Sequence, residues 1–387
     1  MKERKLFATR YPKSSRESDL ILEQASMLDR LGRGEEARKL YESLQSASSN
    51  NKAEALLRLG RSAASVNDHE KALSVLQQLE KEHPDYSHLD QAVYIRILSQ
   101  IALGQLNPEQ SRTEYQNFIT RFPGSAQVMK ASYLLAESFF NSGQYAAAQE
   151  RFSAFAQEFK KTKDSLVDFA SYQAGLSAMK QEQFKEAVQI LETIPPESPA
   201  KIPARLAQIR CYMSQNNHLD AIRIADSVLQ NRKPDEAWME ASIRKASCYY
   251  TLATDDPKNM PQALEIAVQV LAWKDAPLAF RNEAGHLKGA ILQKMGRPTD
   301  ALEAYLDVVY GQALPADIMN QGQNPEFFWF IRSGVAAAAM REDKGDFRGA
   351  VEIYRILNVS AIPTGTSSAK GSRTSNQKTS STKRVEF

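Results

Sequence analysis

Apolar positions along this chain fall at helical spacing and recur at long intervals. Between Ala53 and Tyr86, AEALLRLGRSAASVNDHEKALSVLQQLEKEHPDY places Leu56, Leu59 and Gly60 in a first predicted helix, Ala72 and Leu76 in a second, and Pro84 beyond it. A small residue early in such a second helix recurs at Ala37, Ala72, Ser111, Ala148, Ala187, Ala221, Ala263, Ala301 and Ala350, at gaps of 34 to 42 residues and a final gap of 49. A bulky residue often follows four positions on, as at Tyr41, Leu76, Tyr115, Phe152, Leu191, Tyr305 and Tyr354. A second follows three later, as at Leu44, Leu79, Phe118, Phe155, Ile194, Val228, Val308 and Leu357.

This pattern predicts helical hairpins in series. Gly60, Ala136, Gly175 and Gly289 are expected where first helices cross second helices closely, each opposite the small residue of the second helix. Gly32, Asn67, Gly143, Asn216, Gly296 and Gly345 fall at the turns inside hairpins, where a left-handed residue ends a helix. Pro84, Pro123, Pro277 and Pro325 mark the breaks between hairpins. The least regular units are the third, with Ser111, and the seventh, interrupted by ATDDPKNMP.

The offsets resemble the tetratricopeptide pattern, with Leu56 in place of its Trp and Ala63 in place of its Tyr. The resemblance covers about residues 7–358 and implies an all-α fold, a right-handed alpha-alpha superhelix of about nine helix-turn-helix repeats. Two segments go further: residues 7–44 and 118–159 resemble the form F-x-x-R-Y/F-P-x-S … A-x-Y-x-L-A … G-x-Y-x-x-A-x-x-x-F. That form is similar to the bacterial envelope branch of the family, the type of the outer-membrane assembly lipoprotein BamD and of Tol-Pal-associated periplasmic proteins.

Residues 1–16 read as the end of a partial repeat, residues 17–358 as the solenoid and residues 359–387 as a disordered basic Ser/Thr-rich tail. The start carries neither a signal peptide nor a lipobox cysteine, which as written points to the cytoplasm. A start truncated within a longer array would restore the periplasm or cell envelope.

Composition narrows the function. No window of eighteen consecutive apolar residues spans a membrane. Net charge is +3, but the tail from Thr364 holds five basic residues against Glu386, leaving the body near −1. A neutral body argues against a nucleic-acid surface. Cys211 and Cys248 read as buried small hydrophobes rather than a disulfide. The histidines His69, His83, His88, His218 and His286 show no metal-ligand spacing, so no metal and no cofactor is expected. Neither a nucleophile elbow nor a phosphate loop occurs, and the chain is expected not to be an enzyme.

The resemblance implies a protein-binding scaffold holding a partner peptide or helix in the groove lined by first helices. Groove positions of the fourth to sixth repeats carry Tyr133, Glu137, Phe140, Phe169, Tyr172, Met179, Leu206, Arg210 and Met213, types enriched at interfaces. The residues that clamp a C-terminal carboxylate in chaperone-binding relatives are missing: Leu57, Arg61, Tyr133 and Glu137 stand there. A second candidate patch is Phe327, Phe328, Trp329 and Phe330, which cannot all share one helix face. Two alternatives stay open: a cytoplasmic scaffold or regulator of the same fold, and an RNA- or lipid-associated factor acting through the tail.

Overall fold

The computed structural model describes residues 16–44, 49–230, 232–273, 276–310 and 325–361. The expectations for residues 1–15 and for the tail beyond 361 lie outside them. Among the described residues the chain is all-α, without a strand, and forms two compact units, residues 1–216 and 217–387.

The first unit holds α1 (Arg16–Arg30), α2 (Gly34–Glu42), α3 (Ser49–Ser65), α4 (His69–Glu82), α5 (Leu89–Ala102), α6 (Pro108–Arg121), α7 (Val128–Asn141), α8 (Tyr145–Glu158), α9 (Ser165–Lys180), α10 (Phe184–Glu192) and α11 (Lys201–Ser214). The second holds α12 (His218–Leu229), α13 (Glu236–Leu252), α14 (Asn259–Leu271), α15 (Leu278–Lys294), α16 (Pro298–Tyr310), α17 (Pro325–Asp343) and α18 (Phe347–Ala361). Within each unit consecutive helices pair as hairpins, and these pack on their sequence neighbours, the architecture of a helical solenoid.

Each hairpin begins and ends on local chemistry. Asp68, Asn107, Asp164, Asn217 and Asp235 accept a backbone N–H at helix starts, and Asn107 with Gln110 forms a reciprocal capping box ahead of Pro108. All six expected turn residues have positive φ, from 56° at Asn216 to 76° at Gly345. Gly104 (φ 67°) and Glu182 (φ 61°) do the same work in two of the three hairpins where the sequence offered no expected turn residue, the third being the interrupted one.

All nine small positions of the second helices are buried. Ser111 pairs its hydroxyl by donating to the Asn107 carbonyl at 2.9 Å, which satisfies the polar group at this buried position, and α5 and α6 pack on each other less closely than the helices of the other hairpins within a unit. The interrupted hairpin is bridged by 253–258, with Ala253 and Met260 buried on either side.

The close crossing differs from the expectation. A Cβ at Gly60 would lie 2.5 Å from Leu76, one at Gly175 would lie 2.6 Å from Leu191, and one at Gly289 would lie 2.5–2.8 Å from the Tyr305 ring. The missing side chain faces the bulky residue four after the small one, not the small residue itself. The spacing is sixteen residues each time, and the buried pairs Ala25 with Tyr41, Ser99 with Tyr115 and Ala136 with Phe152 repeat it. At two of the three buried tyrosines the hydroxyl reaches back to the first helix: Tyr41 donates to Asp29 at 2.9 Å and Tyr305 to Gln293 at 3.3 Å.

The last hairpin breaks this rule. Tyr354 is exposed, contrary to its expected place in the core; Ile353 is buried instead, and Leu357 sits 2.6 Å from the position a Cβ on Gly334 would take. Arg96 of α5 bridges Glu80 of α4, in the preceding hairpin, at 2.7 Å and Glu114 of α6, in its own hairpin, at 3.0 Å. Cys211 and Cys248 are free, fully buried and in different units, and burial pushes both thiols up to about 11.

The crossing gives a direct test. Gly-to-Ala inside a helix ordinarily stabilises by roughly 0.5–1 kcal/mol. At Gly289 the new methyl meets a buried ring, so Gly289→Ala is expected to destabilise by about 1–3 kcal/mol in denaturant melts. Gly124→Ala, with nothing within 4 Å, serves as the near-neutral control.

Candidate partner-binding faces

The first candidate face lies on α7, α9 and α11, helices of the first unit that stand at first-helix positions of the repeat. Two of its expected members are core residues. Tyr133 is buried against Phe152 and Phe155, with ring centroids 5.4 and 5.8 Å away, because its position on α7 points at the second helix of its own hairpin. Leu206 is also buried. These two are withdrawn from the lining.

The other seven keep part of their surface. Glu137 and Phe140 stand on the last turns of α7, where Phe140 meets Tyr145 edge-on at 5.4 Å. The Glu137 carboxylate faces inward enough to help burial raise the Tyr115 and Tyr133 hydroxyls, the latter to about 12. On α9, Phe169, Tyr172 and Met179 are half-buried around the core formed by Leu191, Ile194, Ala200, Ala204 and Ala207. Arg210 and Met213, one turn apart on α11, are also half-buried. Side chains anchored on one edge and open on the other offer aromatic, thioether and guanidinium surface at low entropic cost.

The second candidate is α17, whose four aromatics divide as a helix requires. Phe330 is in the core, and Phe327 stacks on it at 5.9 Å. Trp329 is half-buried against the His286 ring at 5.1 Å, while Phe328 is 53% exposed and meets Trp329 edge-on at 5.0 Å. The exposed Arg332 guanidinium lies 5.3 Å from the Phe328 ring centroid and 5.7 Å from that of Trp329. Phe328, Trp329 and Arg332 therefore form an outward cluster, of which only the aromatics were legible in advance. The signal that sequence reasoning missed is the i+3 and i+4 spacing of Arg332 to Trp329 and Phe328.

Beneath this cluster sits His286. Its Nδ1 is 3.1 Å from the Ser333 hydroxyl, and its ring lies 5.5 Å from that of Tyr305. Burial, with a smaller contribution from the Arg332 charge, pushes the imidazole down to about 4. Among the described residues no three His, Cys, Asp or Glu side chains gather as a metal site, and no helix is long and apolar enough to cross a membrane.

Comparison with known proteins identifies the repeat. Residues 54–86 match one tetratricopeptide repeat model, and residues 98–159 and 133–202 match a second. The chain therefore carries tetratricopeptide repeats in its first unit. Among solved structures it is similar to the apo form of RapI (10% identity, 89% of this chain and 97% of that one, TM-score 0.53). It is also similar to the apo quorum sensor NprR of B. thuringiensis (13%, 89% and 97%, TM-score 0.45) and to a tetratricopeptide repeat protein of Parabacteroides merdae (12%, 70% and 98%, TM-score 0.42). At these identities the likeness to RapI speaks for the helical solenoid fold alone. No curated protein sequence matches.

The buried imidazole sets a pH dependence. His286 is neutral in the fold, whereas in the unfolded chain it binds a proton near pH 6.5. Its contribution to stability is complete above about pH 6.5 and is lost as pH falls toward 4. Melts at pH 7.5 and 5.0 are expected to show wild type losing on the order of 1 kcal/mol more than His286→Gln on acidification.

Proposed function

We propose, from the tetratricopeptide repeats, that this chain is a non-enzymatic scaffold that binds a partner protein's extended peptide or helix along the first helices of its first unit. The observation that supports it is the half-buried row of Glu137, Phe140, Tyr172, Met179, Arg210 and Met213 on α7, α9 and α11. Aromatic, Met and Arg side chains concentrate there, and these types dominate protein interfaces. Flexible thioethers at Met179 and Met213 let one face adapt to different sequences. The absent carboxylate clamp turns the reading toward internal segments of a partner rather than its C-terminus.

The setting we infer is the bacterial cell envelope. It rests on the resemblance of residues 7–44 and 118–159 to the envelope branch of the repeat family. Fractionation of cells carrying the tagged native gene tests it: periplasmic or membrane-associated protein supports the envelope, and protein confined to the cytosol refutes it.

The binding face is tested by changing Tyr172 and Met213 together to Lys. Both are part-exposed, so helical content by circular dichroism is expected to stay unchanged. Affinity for a partner first identified with the wild-type protein is expected to fall at least tenfold, about 1.4 kcal/mol. Retained affinity in the folded variant would refute this face. Deleting residues 364–387 is expected to leave that affinity intact; loss of binding with the tail would favour a tail-driven RNA or lipid association.

A further inference from the structure

The outward face of α17 repeats at alternating intervals. Phe328, Arg332, Val335 and Ala339 are all exposed and stand four, three and four residues apart. That spacing keeps them on one line along the helix, the arrangement by which one helix lies lengthwise on another. Phe328 keeps 53% of its surface and Val335 46%, while Ala339 offers almost no side chain to hold a second backbone away. The line is therefore apolar except at one point, Arg332.

Arg332 is held in place without being neutralised. Its guanidinium lies over the Phe328 and Trp329 rings, which meet edge-on and form a corner beneath it. Stacking occupies the flat of the guanidinium and orders its long stem, and the N–H donors at its rim stay free. Among the described residues no carboxylate bridges it, whereas Arg96, Arg232, Arg244 and Arg297 are each paired. No acidic residue stands three or four positions away on α17, where Phe328, Trp329, Val335 and Ala336 are found. The carboxylate of Glu283 on α15 is taken by Arg244 at 2.8 Å, and that of Glu342 on α17 accepts from the Tyr354 hydroxyl. The charge is felt inward as well, where it adds to burial in keeping the His286 imidazole neutral.

One uncompensated cation amid apolar surface selects the chemistry that covers it. A wholly apolar occupant would strip water from the guanidinium and return no partner, which costs more than covering one valine gains. A polyanion would find a single cation and leave the apolar flanks wet. An occupant with one carboxylate between two apolar side chains satisfies both parts of the face, because a carboxylate accepts two parallel N–H bonds from a guanidinium rim.

We infer that this face of α17 is a docking site for a helix of a partner protein that carries one Asp or Glu between two apolar side chains, the carboxylate pairing with Arg332 and the apolar side chains covering Phe328 and Val335. The site belongs to the second unit and stands independently of the face on α7, α9 and α11.

Two peptides of about 18 residues, long enough to form a helix alone, serve as probes. Both are built on Ala and Gln. One carries Leu, Glu and Leu at spacing three then four, for antiparallel approach, and the other at four then three, for parallel approach. Isothermal titration into the full chain is expected to give a dissociation constant below about 1 mM for at least one of them. Replacing the peptide's Glu by Gln is expected to weaken binding about fivefold at low salt, and by less than about twofold when the protein carries Arg332→Gln or when salt is raised to about 1 M. Arg332 is exposed, so this variant is expected to keep its helical content. Val335→Ala is expected to weaken the Glu and Gln peptides alike. The His286 ring proton, assigned by NMR with His286→Gln, is expected to titrate at higher pH with the Glu peptide bound than with the Gln peptide, since the added carboxylate offsets the Arg332 charge. Binding of neither peptide, or an equal Glu-to-Gln loss in wild type and Arg332→Gln, would overturn the inference.

Discussion

A bulky side chain on one helix, seated where its neighbour has almost none, is the contact on which this molecule depends. Gly60 under Leu76, Gly175 under Leu191 and Gly289 under Tyr305 let two backbones approach until a single methyl would collide. The chain between the two residues is a helix end, a left-handed turn and a helix start, so the sixteen-residue spacing is set by the hairpin itself. Each hairpin is thereby closed by its own residues before it meets another. Hairpins then pack closely on one another as well, with polar links such as the bridge from Arg96 of α5 to Glu80 of α4.

That division of labour explains where a partner could be held. Side chains used to close a hairpin have little surface left, which is the fate of Tyr133. Side chains on the same helices but rotated away, such as Tyr172, Met179 and Met213, are supported on one side by core residues and open on the other. A face of this kind is pre-positioned by the fold yet remains variable, because substituting its exposed half costs the hairpin little.

Much of this was legible in the sequence because the repeat is a local code. The small positions, the left-handed turns at Gly32 or Asn216 and the hairpin-breaking prolines are dictated by steric rules acting within about forty residues. What could not be read were choices made in three dimensions. Periodicity does not say whether the gap left by Gly60 receives Ala72 or Leu76, since both lie on the same helix face one turn apart. Nor does it say that Tyr133 turns inward while Tyr172 stays at the edge, or that Tyr354, in register with buried aromatics elsewhere, is left outside by the last hairpin. Glu182 escaped notice for another reason: a glutamate carries no signature of the left-handed conformation that the turn imposes on it.

The two thiols carry a consequence of their own. Cys211 lies in the first unit and Cys248 in the second, each without accessible surface and each held well above the pH at which thiolate chemistry proceeds. An alkylating reagent can reach either sulfur only while the surrounding helices part. The rate at which each cysteine gains the label is therefore a clock for the opening of its own half of the chain, one native reporter per half, with no engineered probe required.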